Sequence, residues 1–435
     1  MRPTDRALAL ARRAGGFGGS VLLMGVVSIA VVPVVIAIAG PTLWSGIAVA
    51  QAIGSFVGVV VAFGWGVTGP AEVGRSRAAD RGAYFRGSIA SRSWLAMPAL
   101  PVMGVLVVLT APGDKAADVL ASIAMVMPAL GASWFFVGER SPKRLFLLET
   151  VPRAIGTIAG AGLLFAHAPL FGFAACQVLG GLTAVVLSAR SVIRRYAGTA
   201  ALGPAAAVAR LAGQTAGVLT GVTAALYVNL PVVLAGVFLP GQVAVYAVAD
   251  KLQKLVLTGV TPVFQVAQGA VAHPDPEVVR SRAARSGRLA VGFGAFTALA
   301  FSLLGGALVR LLSGGRIEVP FPVLAALGVA LGAICTSAII GLACLTALHA
   351  VRQVAASTVL GAVAGIPLLV AGAVLFGLTG LAWAAAASEV LVAAYQIVHL
   401  RRLVRTQSSG GGPPIAVDTE STAIPNPLPG GSPIG

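Results

Sequence analysis

Apolar runs of roughly 20 residues, long enough to cross a bilayer as α-helices, recur along the whole chain with short polar gaps between them. Twelve are read, at 16–39, 43–66, 94–111, 117–137, 146–166, 169–188, 211–235, 242–269, 289–311, 322–347, 354–376 and 379–399. Stretches such as Val21 to Ala39 lack the polar and apolar alternation of a barrel strand, and a helix satisfies its own backbone groups in lipid. The expectation is an all-α, polytopic membrane protein with twelve transmembrane helices in two six-helix bundles. The polar stretch from Arg190 to Arg210 marks the midpoint, giving an N-terminal bundle over 1–198 and a C-terminal bundle over 199–405. Residues 406–435, rich in Gly, Pro and Ser, read as a disordered cytoplasmic tail.

Composition agrees with lipid as the solvent: 57% of residues are hydrophobic and 10% charged, too few charges to clothe a water-soluble domain. The formal net charge of +16 raises nucleic acid as a partner, but the placement of the charge argues against it. Arginines crowd into every second gap: Arg2 to Arg13, Arg75 to Arg92, Arg140 to Arg144, Arg190 to Arg195, Arg280 to Arg288, Arg352, and Arg401 to Arg405. The opposite gaps and their edges hold only Lys115, Arg310 and Arg316. Short loops rich in Arg and Lys stay on the cytoplasmic side, so both termini are expected there. The basic N-terminal lead is also compatible with a short surface helix lining a cytoplasmic entrance.

Catalytic chemistry is not signposted. The sequence has no zinc-ligand cluster, no GxxxxGK[ST] loop and no evident Ser/His/Asp set, so no enzyme, cofactor or metal is expected. His167, His273, His349 and His399 fall at span edges or in loops, and Cys176, Cys335 and Cys344 fall within spans. Trp44, Trp65, Trp94, Trp134 and Trp383 mostly lie near span ends, where aromatic side chains anchor to the interface.

The informative polarity is inside the spans. In YAVADKLQKLVLTGVTPVFQ, Asp250 and Lys254 are four apart and share a helix face, whereas Lys251 points away from the pair. An unpaired ammonium in hydrocarbon is costly, so a wet lumen is expected beside Lys251 or Lys254. Glu149 and Arg153 repeat the spacing, and an Arg153 facing a cavity could grip phosphate; Arg210 offers the same at the start of the seventh span. Tyr227 and Asn229, just before Pro231, could meet sugar hydroxyls or satisfy carbonyls released by the proline. In LAWAAAASEVLVAAYQ the sequence shows no obvious base at helical spacing from Glu389, so it reads, with Asp250, as an ion-coupling candidate. Gly160, Gly162, Gly172, Gly180 and Gly181 suit a close helix seam.

The halves echo one another: Pro33 is followed by GPTLWSGIAVAQAIG, and Pro231 by LPGQVAVYAVADKLQ, the kind of trace a duplicated transporter leaves. With FGWGVTGPAEVGR from Phe63, WFFVGERSPKRLFLLETVPRAIGT from Trp134 and VAVYAVADKLQK from Val243, the chain resembles the polysaccharide-unit flippases, O-antigen type included. These belong to the multidrug/oligosaccharidyl-lipid/polysaccharide exporter superfamily, and the resemblance covers roughly residues 15 to 400. It implies a bacterial cytoplasmic-membrane transporter that flips a lipid-linked oligosaccharide or polysaccharide precursor by alternating access around a central cavity. The implied partners are that substrate, membrane lipids, and a polysaccharide polymerase or glycosyltransferases. The substrate-binding candidates are Arg153, Arg210, Tyr227, Asn229, Lys251 and Lys254. The alternatives are an ion-coupled small-molecule or drug exporter of the same superfamily and a noncatalytic scaffold of a polysaccharide-synthesis complex.

Overall fold

The computed structural model describes residues 3–196, 215–271 and 273–406, and among them every regular element is helical. Arg190 to Arg195, the start of the expected midpoint linker, are the last turns of a helix, while most of the rest of that linker, including Arg210, and nearly all of the expected tail lie outside the described residues. The basic lead is continuous with the first apolar run as one helix, α1 (Pro3–Ile38). Its 36 residues span roughly 54 Å, well beyond the hydrocarbon thickness of about 30 Å.

The second span is α2 (Pro41–Ala62), continued after a break by α3 (Trp65–Arg75). Phe63 and Gly64 both take left-handed backbone there, with φ of 42° and 78°, and a glycine accepts that geometry without a Cβ clash. Then follow α4 (Ala78–Thr110) and α5 (Lys115–Leu130), the latter capped by the Asp114 carboxylate, which accepts from the N–H of Ala116 at 3.0 Å. The short α6 (Ser133–Gly138) and α7 (Pro142–Leu145) lead through a π turn at Phe146–Thr150 into α8 (Val151–Phe165), and α9 (Leu170–Arg195) ends the first half. Arg81, Arg86 and Arg92, read from sequence as loop charges, are therefore helical residues of α4.

The second half runs α10 (Thr215–Phe238), a 3-10 turn, α11 (Val243–Val271), α12 (Pro276–Ser313), α13 (Phe321–Ile339) with its π turn at Ile340–Leu345, and α14 (Val351–Thr406). Val228–Phe238 and Pro240–Val271 meet at a bend of 119°. A straight 56-residue α14 would be roughly 84 Å long. It instead breaks at Gly377, whose φ of 62° and ψ of −146° are non-helical, and its two arms fold back on one another. The Gln396 amide donates to the Ser357 hydroxyl at 2.9 Å, Ser388 donates to the Gly361 carbonyl at 3.1 Å, and Gly372 packs on Gly380 nearest the turn.

Among the described residues nine helices are long and apolar enough to cross a bilayer, ten when the bent stretch counts as one span. The outward positions are oily, as Leu109, Phe296, Leu311 and Phe376 show, each at least two thirds exposed. Inside, small residues let backbones touch: a Cβ on Gly156 would lie 2.5 Å from the Cys176 carbonyl, and one on Gly180 2.7 Å from that of Pro152. Of the expected seam, Gly160 and Gly180 join α8 to α9 and Gly181 meets Met127, whereas Gly162 faces open space and Gly172 touches only loosely. The halves meet where α2 packs on α10 and α11 and where α1 packs on α11 and α12.

Three of the five tryptophans depart from the interfacial expectation. Trp44, Trp65 and Trp134 are buried, at 2%, 1% and 6% exposure, while Trp94 and Trp383 face outward. Trp65 and Trp134 belong to an aromatic cluster with Tyr84, Phe85 and Phe135, their own ring centroids 5.5 Å apart; edge and tilted contacts of this kind add to area burial. All three cysteines are free, Cys335 and Cys344 fully buried.

Candidate functional site

The polar interruption of α11 lies on the seam between the halves. The Gln253 amide donates to the Leu327 carbonyl of α13 at 2.9 Å, which ties this part of α11 to its own half. One turn along, Lys254 reaches back to Asp250 at 2.7 Å, the bridge that a spacing of four permits. Asp250 is buried, while the Lys254 side chain keeps 37% exposure and so meets space.

Lys251, on another side of α11 from that pair, also lines this space. Its ammonium lies 4.9 Å from the ring centroid of Trp44 on α2, a cation–π contact across the two halves. The reason is the partner helix: the cavity wraps around α11, so a side chain rotated about 100° from Asp250 still faces it. That cavity, of about 220 Å³, takes its walls from both halves: Ser28, Trp44, Gln51 and Ser55 on one side, Asn229, Asp250, Lys251 and Lys254 on the other. A smaller hollow of about 80 Å³ adjoins it, sharing Asp250 and Lys254 and adding Tyr246, Gln253 and Glu389. The structure thus brings together four of the sequence-read residues, Asp250, Lys251, Lys254 and Asn229, and sets Glu389 in the adjacent hollow.

Asn229 does not serve the carbonyl freed by Pro231. Its amide donates at 2.8 Å to Ala225, one turn back. The side chain of Tyr227 lies outside the described residues, as does Arg210.

Arg153 has a different setting. It pairs with Glu149, which is 1% exposed and also accepts from the N–H of Ala132 at 2.6 Å. Beside them Arg92, 1% exposed, donates to the carbonyls of Ala129 at 2.6 Å and Gly131 at 2.9 Å, and to Ser88, with Trp134 5.6 Å away. These groups serve the break between α5 and α6: Arg92 takes the orphan carbonyls that end α5, and Glu149 takes an orphan N–H that begins α6. Arg153 lines neither cavity.

Sequence reasoning missed Trp44, Gln51 and Arg92, and also Asp118 on α5. Asp118 is fully buried, its carboxylate slotted between Gly46 and Gly113. The only available signal for it was an acid just inside a span. Among the described residues no three His, Cys, Asp or Glu side chains gather in a way that would hold a metal ion.

No family model matches the sequence, and no curated protein matches it. Solved structures do. The chain is similar to the inward-facing form of a multidrug resistance MATE family transporter of the MOP superfamily, with a TM-score of 0.66, 12% identity, and coverage of 89% of this chain and 96% of that one. It is similar to a eukaryotic MATE transporter, at 0.55, 13% identity, 92% and 98% coverage. It is also similar to the lipid II flippase MurJ in an inward closed conformation, at 0.54, 10% identity, 88% and 87% coverage. At these identities the similarity is one of fold: this chain adopts the architecture shared by MATE transporters and the flippase MurJ.

Proposed function

We propose that the chain is a secondary transporter of the MOP superfamily that works by alternating access, and that its cargo is a small amphipathic solute. The observation that carries this reading is the polar cavity whose walls come from both halves, so that any rocking of one half against the other opens or closes it. At about 220 Å³ it is smaller than the roughly 300–1,000 Å³ of ordinary ligand pockets, which favours a small solute over an oligosaccharide head. Lys251, stacked on Trp44, offers a cation beside an aromatic face, a combination suited to an acidic or strongly polar amphipath. Asp250 and Glu389 are the proposed ion-coupling groups, since a carboxylate near the membrane middle that trades partners can exchange a proton or cation for cargo.

The count of spans belongs to the same proposal. Splitting the bent stretch into α10 and α11, and α14 into its two arms at Gly377, makes twelve spans. Six precede residues 197–214 and six follow, giving the two bundles over 1–198 and 199–405. By the arginine pattern both ends lie in the cytoplasm of a bacterial cell.

A second reading, flipping of a lipid-linked saccharide, draws support from the fold shared with MurJ and from the paired cations Lys251 and Lys254, which could receive a phosphate. Proteoliposomes containing the purified chain separate the two. Efflux of small amphipaths that follows an imposed proton or sodium gradient, with no movement of a defined lipid-linked saccharide, is the expected result. Saccharide flipping without solute efflux would replace the first reading by the second, and no transport of either would sink both.

A further inference from the structure

We propose that the arginine-lined cleft between α12 and the second arm of α14 is a binding site for an anionic phospholipid of the inner leaflet. The cleft encloses about 600 Å³ at the arginine-rich edge of the helices, remote in sequence and lining from the seam cavity. Arg288 of α12 and Arg401 and Arg405 of α14 line it, with no acidic side chain among its walls. Arg401 and Arg405 are one helical turn apart, so both guanidinia project to the same side. Neither Arg288 nor Arg401 forms a salt bridge with an acid among the described residues, and all three arginines are exposed.

The lower walls are of the opposite character. Val291, Ile340 and Ile397 continue the cleft away from the arginines, and Leu289, 64% exposed, begins the oily belt directly after Arg288. The charged rim therefore sits at the boundary between headgroups and hydrocarbon. Gly287 sets the width: a Cβ there would fall 2.6 Å from Leu400. Three arginines lining one cleft with an apolar slot match a phosphate diester with acyl chains below it, since arginine binds phosphate through paired hydrogen bonds and a basic pocket between membrane helices suits an anionic headgroup. A phosphate without chains would leave the slot unfilled, and a zwitterionic headgroup would bring its own cation against the arginines. This assignment does not depend on the transport reading.

The test is lipid binding to the detergent-purified full chain, followed by native mass spectrometry and thermal melting as phosphatidylglycerol or phosphatidylcholine is titrated. Saturable binding of phosphatidylglycerol with a raised melting temperature is expected, with at least tenfold weaker binding of phosphatidylcholine and no competition from inorganic phosphate. Replacing Arg288, Arg401 and Arg405 by Gln should weaken phosphatidylglycerol at least tenfold. Removing the same charge elsewhere on this face, by Arg280→Gln, Arg285→Gln and Arg352→Gln, should leave it within twofold. If the triple variant does not insert, Arg288→Gln and Arg401→Gln singly should each cost about threefold. Equal binding of the two lipids, displacement by inorganic phosphate, or equal losses in the two charge-removal sets would overturn the proposal.

Discussion

Two acid–base pairs share one spacing and have opposite surroundings. Glu149 and Arg153 are held among the groups that cap the break between α5 and α6, whereas Asp250 and Lys254 form one wall of the cavity between the halves. Within each pair the spacing of four brings the charges together, and in neither does it say what the pair faces. The first pair's acid has a second duty, accepting the Ala132 N–H, so it is part of the scaffold. Around the second pair there is space and a further cation, Lys251, set against an aromatic face. A buried network and a cavity-lining one sit in the same protein, and the proposed transport would use both: the first to keep a half rigid, the second to meet cargo.

The comparison breaks most sharply at Glu149. Glu149→Ala leaves the buried Arg153 without its partner and the Ala132 N–H without an acceptor, so a loss of about 3–5 kcal/mol is expected, read as a lower melting temperature of the solubilised protein. Glu149→Gln combined with Arg153→Met should recover much of that loss, because the cation at 153 is gone, the Gln oxygen can still accept the Ala132 N–H and Arg92 keeps its carbonyl partners; a double-mutant cycle measures the coupling. If Glu149→Ala melts like the wild type, the scaffold role fails.

At the seam the expected order is reversed, with transport lost and stability kept. Lys251→Gln should lower the rate of solute efflux roughly tenfold, equivalent to about 1.4 kcal/mol, with the melting temperature almost unchanged. Trp44→Phe keeps a ring but a poorer cation–π face, and a two- to threefold loss of efflux is expected, in line with about 0.5–1 kcal/mol for such a contact. Asp250→Asn should also cost little stability: Lys254 is partly exposed, so breaking the pair should cost about 1 kcal/mol or less. The same variant should uncouple efflux from the imposed ion gradient, which a purely structural pair would leave intact.

How much of this was legible follows from what each residue needs to be recognised. The all-helical, apolar character of the chain, the boundary between the runs 354–376 and 379–399 where α14 breaks, and the polar interruption of α11 are local patterns, and each was readable from the chain. Trp44 was not, because a tryptophan near a span end looks like an interface anchor until α11 is seen to lay Lys251 over its ring. Arg92 was hidden in a run of loop-like arginines, and only the break between α5 and α6 supplies the carbonyls that justify burying it. The continuation of α2 into α3 was missed because the apolar run fades after residue 66, while α3 carries on through Glu72 and ends only at Arg75. Arg153 shows the converse: its spacing from Glu149 was visible, but which of its two expected surroundings it occupies is a property of the neighbours.

The central claim is that the seam cavity is reached by water from each side of the membrane in turn. Ser55, on the cavity wall, offers the direct measurement: Ser55→Cys in a chain with Cys176, Cys335 and Cys344 replaced by Ala, probed with a membrane-impermeant thiol reagent applied to one face or the other of oriented proteoliposomes. Labelling from both faces is predicted, with the ratio of the two rates shifting when the ion gradient is reversed. Labelling from one face alone, or from neither, under every gradient would contradict it.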